Sequence, residues 1–267
     1  MSQSKHDEIR NNVRESYAAV AEANNKGECC GVASSCCGVP EGVINMQSLR
    51  MGYSEADINS VPAGADMGLG CGNPQAIASL KQGEVVIDLG SGGGFDCFLA
   101  AREVGVNGRV IGIDMTPAMI SKARNNAEQG NFNNVEFRLG EIEHLPVADN
   151  TADVIISNCV INLSPNKQQV FNDAFRALKP GGRLAISDVV AQCELPEHIK
   201  NDLQLYSGCM AGASSVEELK AIMASAGFDN ISITPKNESK EFIKDWAPDS
   251  KVEDYVVSAN IEAVKPL

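Results

Sequence analysis

Apolar residues recur along this chain with two different periods, and the alternation between them outlines a fold. Over residues 5–24, Ile9, Val13, Tyr17, Val20 and Ala21 are spaced mostly three or four apart, which predicts an amphipathic helix. A Cys- and Gly-rich loop without periodicity follows from Gly27 to Pro40, and residues 41–70 read as irregular structure with at most short helices. From Val85 the pattern tightens. Short apolar runs at Val85–Leu89, Val110–Asp114, Val135–Leu139, Ala152–Ser157 and Arg183–Val190 read as strands. Between them, Phe95–Val104, Pro117–Gln129 and Lys167–Leu178 read as helices, with Thr116 as N-cap and Pro117 at the first helical position. The helix before the fifth strand stops at Lys179-Pro180-Gly181-Gly182, where proline and glycine cannot continue it. Ser215-Val216-Glu217-Glu218 is a capping-box sequence opening a helix to Ala226, and Ile231–Thr234 and Tyr255–Ala263 supply two last strands.

Strands alternating with helices imply crossover connections and an α/β fold, a doubly wound, mainly parallel sheet of seven strands. The expected organisation is an N-terminal helix and cysteine-rich extension over 1–70, a Rossmann-like ligand-binding unit over 71–195, and a C-terminal part over 196–267 that completes the sheet and the site.

Composition narrows the partners. The formal net charge is -13, which repels phosphate backbones and argues against a nucleic-acid substrate. No apolar run approaches membrane-spanning length, and the charged N-terminus lacks the apolar centre of a secretory signal. A cytoplasmic location and no membrane partner are expected. There are nine cysteines, an odd number in a chain with no mark of secretion, so thiols rather than structural disulfides are expected.

In an open parallel sheet the ligand lies beyond the carboxyl ends of the strands. Here the first strand ends in Asp88-Leu89-Gly90-Ser91-Gly92-Gly93-Gly94. Glycines let backbone approach a ligand closely, and the following helix turns its free amides to the same place. Asp114 ends the second strand, 26 residues after Asp88, where a carboxylate can accept hydrogen bonds from both hydroxyls of a ribose. The loop is GSGGG rather than the GxGxxG of a pyrophosphate clamp.

With the Leu178-Lys179-Pro180-Gly181-Gly182 turn, this combination resembles the class I methyltransferases over about residues 70–265. The resemblance implies S-adenosylmethionine as cofactor, with Asp88, Gly90, Ser91 and Gly92 at its methionine part and Asp114 at its ribose. It further places Met115, Glu141 and Ile142 around the adenine, and Asn158 near the methionine end.

The acceptor is suggested by sulfur. Ser157-Asn158-Cys159-Val160-Ile161-Asn162-Leu163-Ser164 follows the fourth strand, where many oxygen and nitrogen methyltransferases carry a base or an Asn-Pro-Pro-aromatic motif. Two further cysteines lie in glycine-rich loops, Gly68-Leu69-Gly70-Cys71-Gly72 and Gly208-Cys209-Met210-Ala211-Gly212. Thiolates select soft centres, and three of them converging would hold trivalent arsenic with its lone pair free. Spacing alone leaves the alternative that each is a small buried hydrophobe.

These loops, together with Gly94-Phe95-Asp96-Cys97, resemble the arsenite methyltransferases. The resemblance implies that Cys71, Cys159 and Cys209 bind trivalent arsenic, presented as arsenite or a thiol adduct such as the glutathione complex. It also implies a thiol reductant, thioredoxin or glutathione with the thioredoxin/glutaredoxin system, that reopens disulfides formed in the cycle. Cys29, Cys30, Cys36 and Cys37 resemble the paired cysteines of microbial members, one of which would be the redox partner of Cys71. A metal-scavenging loop or a zinc site is the other reading of those four. Cys97 reads as a core residue, and His144 and Trp246 as a surface and a packing residue. Two competing functions are a carbon or oxygen methyltransferase acting on a quinone or sterol precursor, and a metalloid sensor without turnover.

Overall fold

The computed structural model describes residues 3–23, 45–200, 202–248 and 250–267. Its centre is a seven-stranded sheet in the order β3-β2-β1-β4-β5-β7-β6. The strands are β1 Val85–Leu89, β2 Arg109–Asp114, β3 Val135–Leu139, β4 Ala152–Asn158, β5 Leu178–Ala191, β6 Asp229–Lys236 and β7 Val256–Val264. β1 to β5 pair in parallel, and β7 enters antiparallel between β5 and β6. Chain order reverses between β1 and β4, so the carboxyl ends of these two strands open the crevice where a ligand binds.

Five longer helices flank the sheet: α1 Gln3–Ala23, α2 Phe95–Val104, α3 Pro117–Gln129, α4 Lys167–Ala177 and α5 Val216–Ala226. Alternate strand residues face opposite sides of a sheet, and here both sides are buried. Val86, Val110, Val154, Ile156 and Ala185 pack with Cys97, Phe98, Ala101, Ile120 and Ala123 of α2 and α3. Ile87, Ile111, Ile155, Leu184 and Ile186 pack with Val170, Phe171, Leu219 and Met223 of α4 and α5. Each such aliphatic side chain contributes about 1.5–3 kcal/mol on burial, so both helical layers are fixed to the strands and cannot drift from the crevice.

Two local expectations need correction. Leu178 to Gly182 is not a turn before β5 but its first residues. Leu178 pairs with Ala152, the register then shifts, and Gly181 adopts a φ of +78° that a glycine takes without strain. Thr116 occupies the N-cap of α3 as expected, and its hydroxyl goes to Asp114 rather than to a helix amide. Ser215 accepts from the Glu218 amide, which is one half of the expected box. The full reciprocal box belongs to Ser54 and Asp57, ahead of a short helix, Glu55–Asn59, in the segment read as irregular. Among the described residues no helix is long and apolar enough to cross a membrane.

Candidate active site

The glycine loop leaves β1 at the crevice. Gly90 has a φ of +69°, and a Cβ there would lie 2.4 Å from the Val160 side chain, so only glycine fits. The Gly92 amide donates to Asp114 Oδ2 at 3.0 Å and the Thr116 amide to Asp114 Oδ1 at 2.8 Å, which ties the loop to the end of β2. Asp88 is 2% exposed and accepts a hydrogen bond from the Cys97 thiol at 3.2 Å. Cys97 is therefore buried, as expected, and also a donor to the expected site.

One residue before it stands Asp96, which no motif assigned. Its carboxylate accepts from Tyr53 Oη at 2.8 Å and from the amides of Gln75 and Asn158 at 3.4 Å each. Burial raises the pKa of Asp88 well above the ordinary carboxylate range, with Asp96 and Asp114 adding repulsion. Burial likewise raises Asp96, to about 6, and Asp114. None of the ion pairs among the described residues reaches any of the three. Beside them Ser91 Oγ is buried with no hydrogen-bond partner. Buried carboxylates without cations and an unpartnered hydroxyl fit a ligand that carries positive charge and polar groups of its own. S-adenosylmethionine, with its sulfonium, ammonium and ribose, has that chemistry.

The other expected cofactor residues divide. Met115 is half-buried against the cluster that contains the cysteines. Ile142 is 7% exposed and packs into the core on the α4 side. Glu141 faces Arg10 at 3.5 Å and Arg14 at 3.4 Å, both from α1. Its neighbour Glu143, which the sequence did not single out, is 3% exposed and accepts from Arg10 at 3.0 Å and Ser164 Oγ at 2.8 Å. Tyr17 Oη donates to the Ser207 carbonyl at 3.2 Å, so α1 straps the β3 loop to the segment before Cys209.

Asn158, expected beside the ligand, has its amide occupied by protein. Its Oδ1 accepts from the Cys71 amide at 3.0 Å, and its Nδ2 donates to the Gly72 carbonyl at 2.8 Å and Tyr53 Oη at 3.0 Å. Asn158 thus joins the Cys71 loop to the end of β4. Gly70 permits this, since its φ is +133° and a Cβ would fall 2.8 Å from the Asn158 amide. From the far side, Ser258 Oγ of β7 donates to the Cys71 carbonyl at 2.6 Å.

The three loop cysteines come together in one buried cluster, at 1% exposure for Cys71, 8% for Cys159 and 2% for Cys209. The Cys71 and Cys159 sulfurs lie within 4.8 Å of each other. The Cys209 thiol donates to the Cys159 carbonyl at 2.6 Å. Cys159 and Cys209 both hold left-handed backbone, with φ of +59° and +64°, a conformation costly for a residue with a Cβ and common at functional sites. The Cys159 thiol is pushed well up, first by its contacts with the Cys209 and Cys71 sulfurs and then by burial. At Cys209 the contact with Cys159 pulls the pKa down, but burial together with the charges of Asp188 and Cys71 outweighs it and the net shift is upward. Val160, next to Cys159, is the residue against Gly90, so the sulfur cluster adjoins the glycine loop. Cys193 is exposed and apart, and Trp246 packs on Phe242 at 5.6 Å. Cys29, Cys30, Cys36 and Cys37 lie outside the described residues.

Known proteins share the fold. Residues 80–227 match the family described as a methyltransferase domain. The chain is 53% identical over 267 residues to the arsenite methyltransferase of Halobacterium salinarum, covering 97% of this chain and 67% of that protein. It is 43% identical over 166 residues to the arsenite methyltransferase of Aquipseudomonas alcaligenes, where it spans 47% of that protein's length. In structure it resembles an arsenic (III) S-adenosylmethionine methyltransferase from Chlamydomonas reinhardtii, with a TM-score of 0.62, 28% identity, and 85% and 75% of the two chains covered. A methyltransferase sheet, a crevice suited to a cationic cofactor and identity across nearly the whole chain agree: this chain belongs to the arsenite methyltransferase family, whose fold is that of the class I S-adenosylmethionine-dependent enzymes.

Proposed function

We propose that this protein transfers methyl groups from S-adenosylmethionine to trivalent arsenic held by Cys71, Cys159 and Cys209. The observation that carries this reading is the gathering of three sulfurs, from loops 88 and 50 residues apart, in one buried cluster beside the glycine loop. The names of the relatives support the same acceptor.

The thiols suit arsenite although burial and mutual contact raise their pKa values. Arsenite is As(OH)3 near neutral pH, and exchange of its hydroxyls for thiols releases water with the thiol protons, so no free thiolate is required. A glutathione adduct exchanges in the same way and releases glutathione. Three sulfur ligands leave the arsenic lone pair as the nucleophile, so the site has no need of a general base. When bound, S-adenosylmethionine supplies an electrophilic methyl group on a sulfonium. Asp88, Gly90, Ser91, Gly92 and Asp114 hold that cofactor, with Met115, Glu141 and Ile142 toward its adenine. Asn158 acts as a positioning residue that fixes Cys71 relative to Cys159. The task of these residues is aim, and orientation of held reactants is worth up to ~7–11 kcal/mol of barrier. Methyl transfer releases S-adenosylhomocysteine and leaves arsenic pentavalent. Cys71 and one of Cys29, Cys30, Cys36 and Cys37 give it two electrons, closing a disulfide and returning it to the trivalent state, and a thiol reductant, thioredoxin or glutathione, reopens that disulfide.

Incubation with arsenite, glutathione and S-adenosylmethionine, followed by speciation of arsenic, tests the reading. Methylated arsenic is expected. Arsenite that binds tightly but stays unmethylated would instead indicate a sensor.

A further inference from the structure

Asp188 lies beside the cysteines and has no part in the chemistry above. One of its carboxylate oxygens is within 4.8 Å of the Cys71 and Cys159 sulfurs, and all three side chains are buried. Oδ1 accepts from the Val189 amide at 2.7 Å and Asn162 Nδ2 at 2.8 Å, and Oδ2 from the Ile161 amide at 2.8 Å. A carboxylate offers about four acceptor positions, so one remains. Lys167 is the nearby cation. Its Nζ donates to the Gly212 carbonyl at 2.6 Å, and it interacts electrostatically with Asp188 and Cys209.

We propose that this cluster is also a site for a four-coordinate, thiophilic divalent cation of the Zn2+ or Cd2+ class, with Cys71, Cys159 and Asp188 as three ligands already grouped and Cys209, whose thiol now donates to the Cys159 carbonyl, turning in as the fourth. Trivalent arsenic keeps its lone pair and is satisfied by three sulfurs. A d10 divalent ion takes four donors in a tetrahedron, and sulfur with carboxylate oxygen is among its accepted sets. Asp188 therefore separates two kinds of guest: it is idle toward arsenic and completes the shell of the cation. The thiol protons leave for solvent as the cation binds. Because both guests use the same sulfurs, such a cation excludes arsenite and stops turnover.

This inference shares the three-sulfur cluster with the proposed function but not its arsenic chemistry, and the test separates them. The full chain, with Cys29, Cys30, Cys36, Cys37 and the exposed Cys193 changed to serine so that the cluster thiols and the buried Cys97 alone remain, is reduced and titrated with Cd2+. Sulfur-to-cadmium absorbance is followed, and arsenite is titrated in parallel through sulfur-to-arsenic absorbance. One Cd2+ per chain is expected, displaced by arsenite. Asp188→Asn is expected to weaken Cd2+ by at least about tenfold, the lower end of what loss of even an outer partner costs, and to leave arsenite binding unchanged. Unchanged Cd2+ binding in that variant overturns the proposal. If the variant loses both guests through misfolding, X-ray absorption of the Cd2+-loaded protein with Asp188 intact decides: three sulfurs and one oxygen support the site, and an all-sulfur or sulfur-free shell overturns it. Arsenite binding without Cd2+ binding sinks this inference alone, whereas failure of both sinks the three-sulfur reading with it.

Discussion

The two halves of the site are built differently. The glycine-loop half stands on the ends of β1 and β2, and its loop is held by backbone donors to Asp114. The sulfur half is assembled from three loops, and the placing of its Cys71 loop depends on distant side chains: Asn158 from β4 and Ser258 from β7. The first half gathers acidic side chains whose pKa values burial raises, the second gathers thiols crowded together and likewise raised. A preorganised cradle can discriminate by charge, whereas a loop cluster selects by softness and ligand count.

The largest expected effect falls on the sulfur half. Cys159→Ser should lower methyl transfer by about a thousandfold or more, because a held and aimed nucleophile is worth several kcal/mol. Its S-adenosylmethionine affinity, measured by calorimetry, should stay that of the wild type. A parallel loss of cofactor binding would mean the halves are not separable. Asp114→Ala should do the converse, weakening the cofactor by ~1–3 kcal/mol through lost hydrogen bonds while arsenite binding persists. An unchanged cofactor Kd would contradict the ribose assignment.

The smallest effect is on pH. Asp96 has its folded pKa raised to about 6 from an ordinary 3.8, so it binds more protons folded than unfolded between those values. In the ligand-free protein it therefore takes away stability as pH rises from about 4 to about 6. A cationic cofactor favours the ionised form and reverses that penalty. Through the Asp96 proton alone, cofactor affinity should rise with pH up to about 6, by at most about tenfold per unit, with any further rise above that belonging to Asp88 and Asp114. A flat Kd from pH 5 to 7 would remove Asp96 from the cofactor's surroundings.

The contrast also explains what the sequence made legible. β1, α2, α3 and Asp114 were readable because period, caps and a glycine loop are local signals. The Tyr53–Asp96–Asn158 network was not, since its members are 43 and 62 residues apart and only the fold joins them. Asp96 stands in Gly94-Phe95-Asp96-Cys97, and a carboxylate on the first turn of a glycine-loop helix is the one local clue to it. Asp188 reads as the one acidic residue of β5, and nothing local shows that its oxygens face sulfur. The left-handed backbone at Cys159 and Cys209 is also invisible in sequence, because these are not the residues that usually adopt it. The strap formed by Arg10 and Tyr17 was hidden behind an ordinary helical periodicity.

The central claim is that three protein sulfurs surround one arsenic atom. X-ray absorption at the arsenic edge, on reduced protein with stoichiometric arsenite and no added thiol, measures this directly. The account predicts a shell of three sulfurs that becomes two sulfurs and an oxygen in Cys71→Ser. A wild-type shell dominated by oxygen, or one unchanged by that substitution, would contradict it.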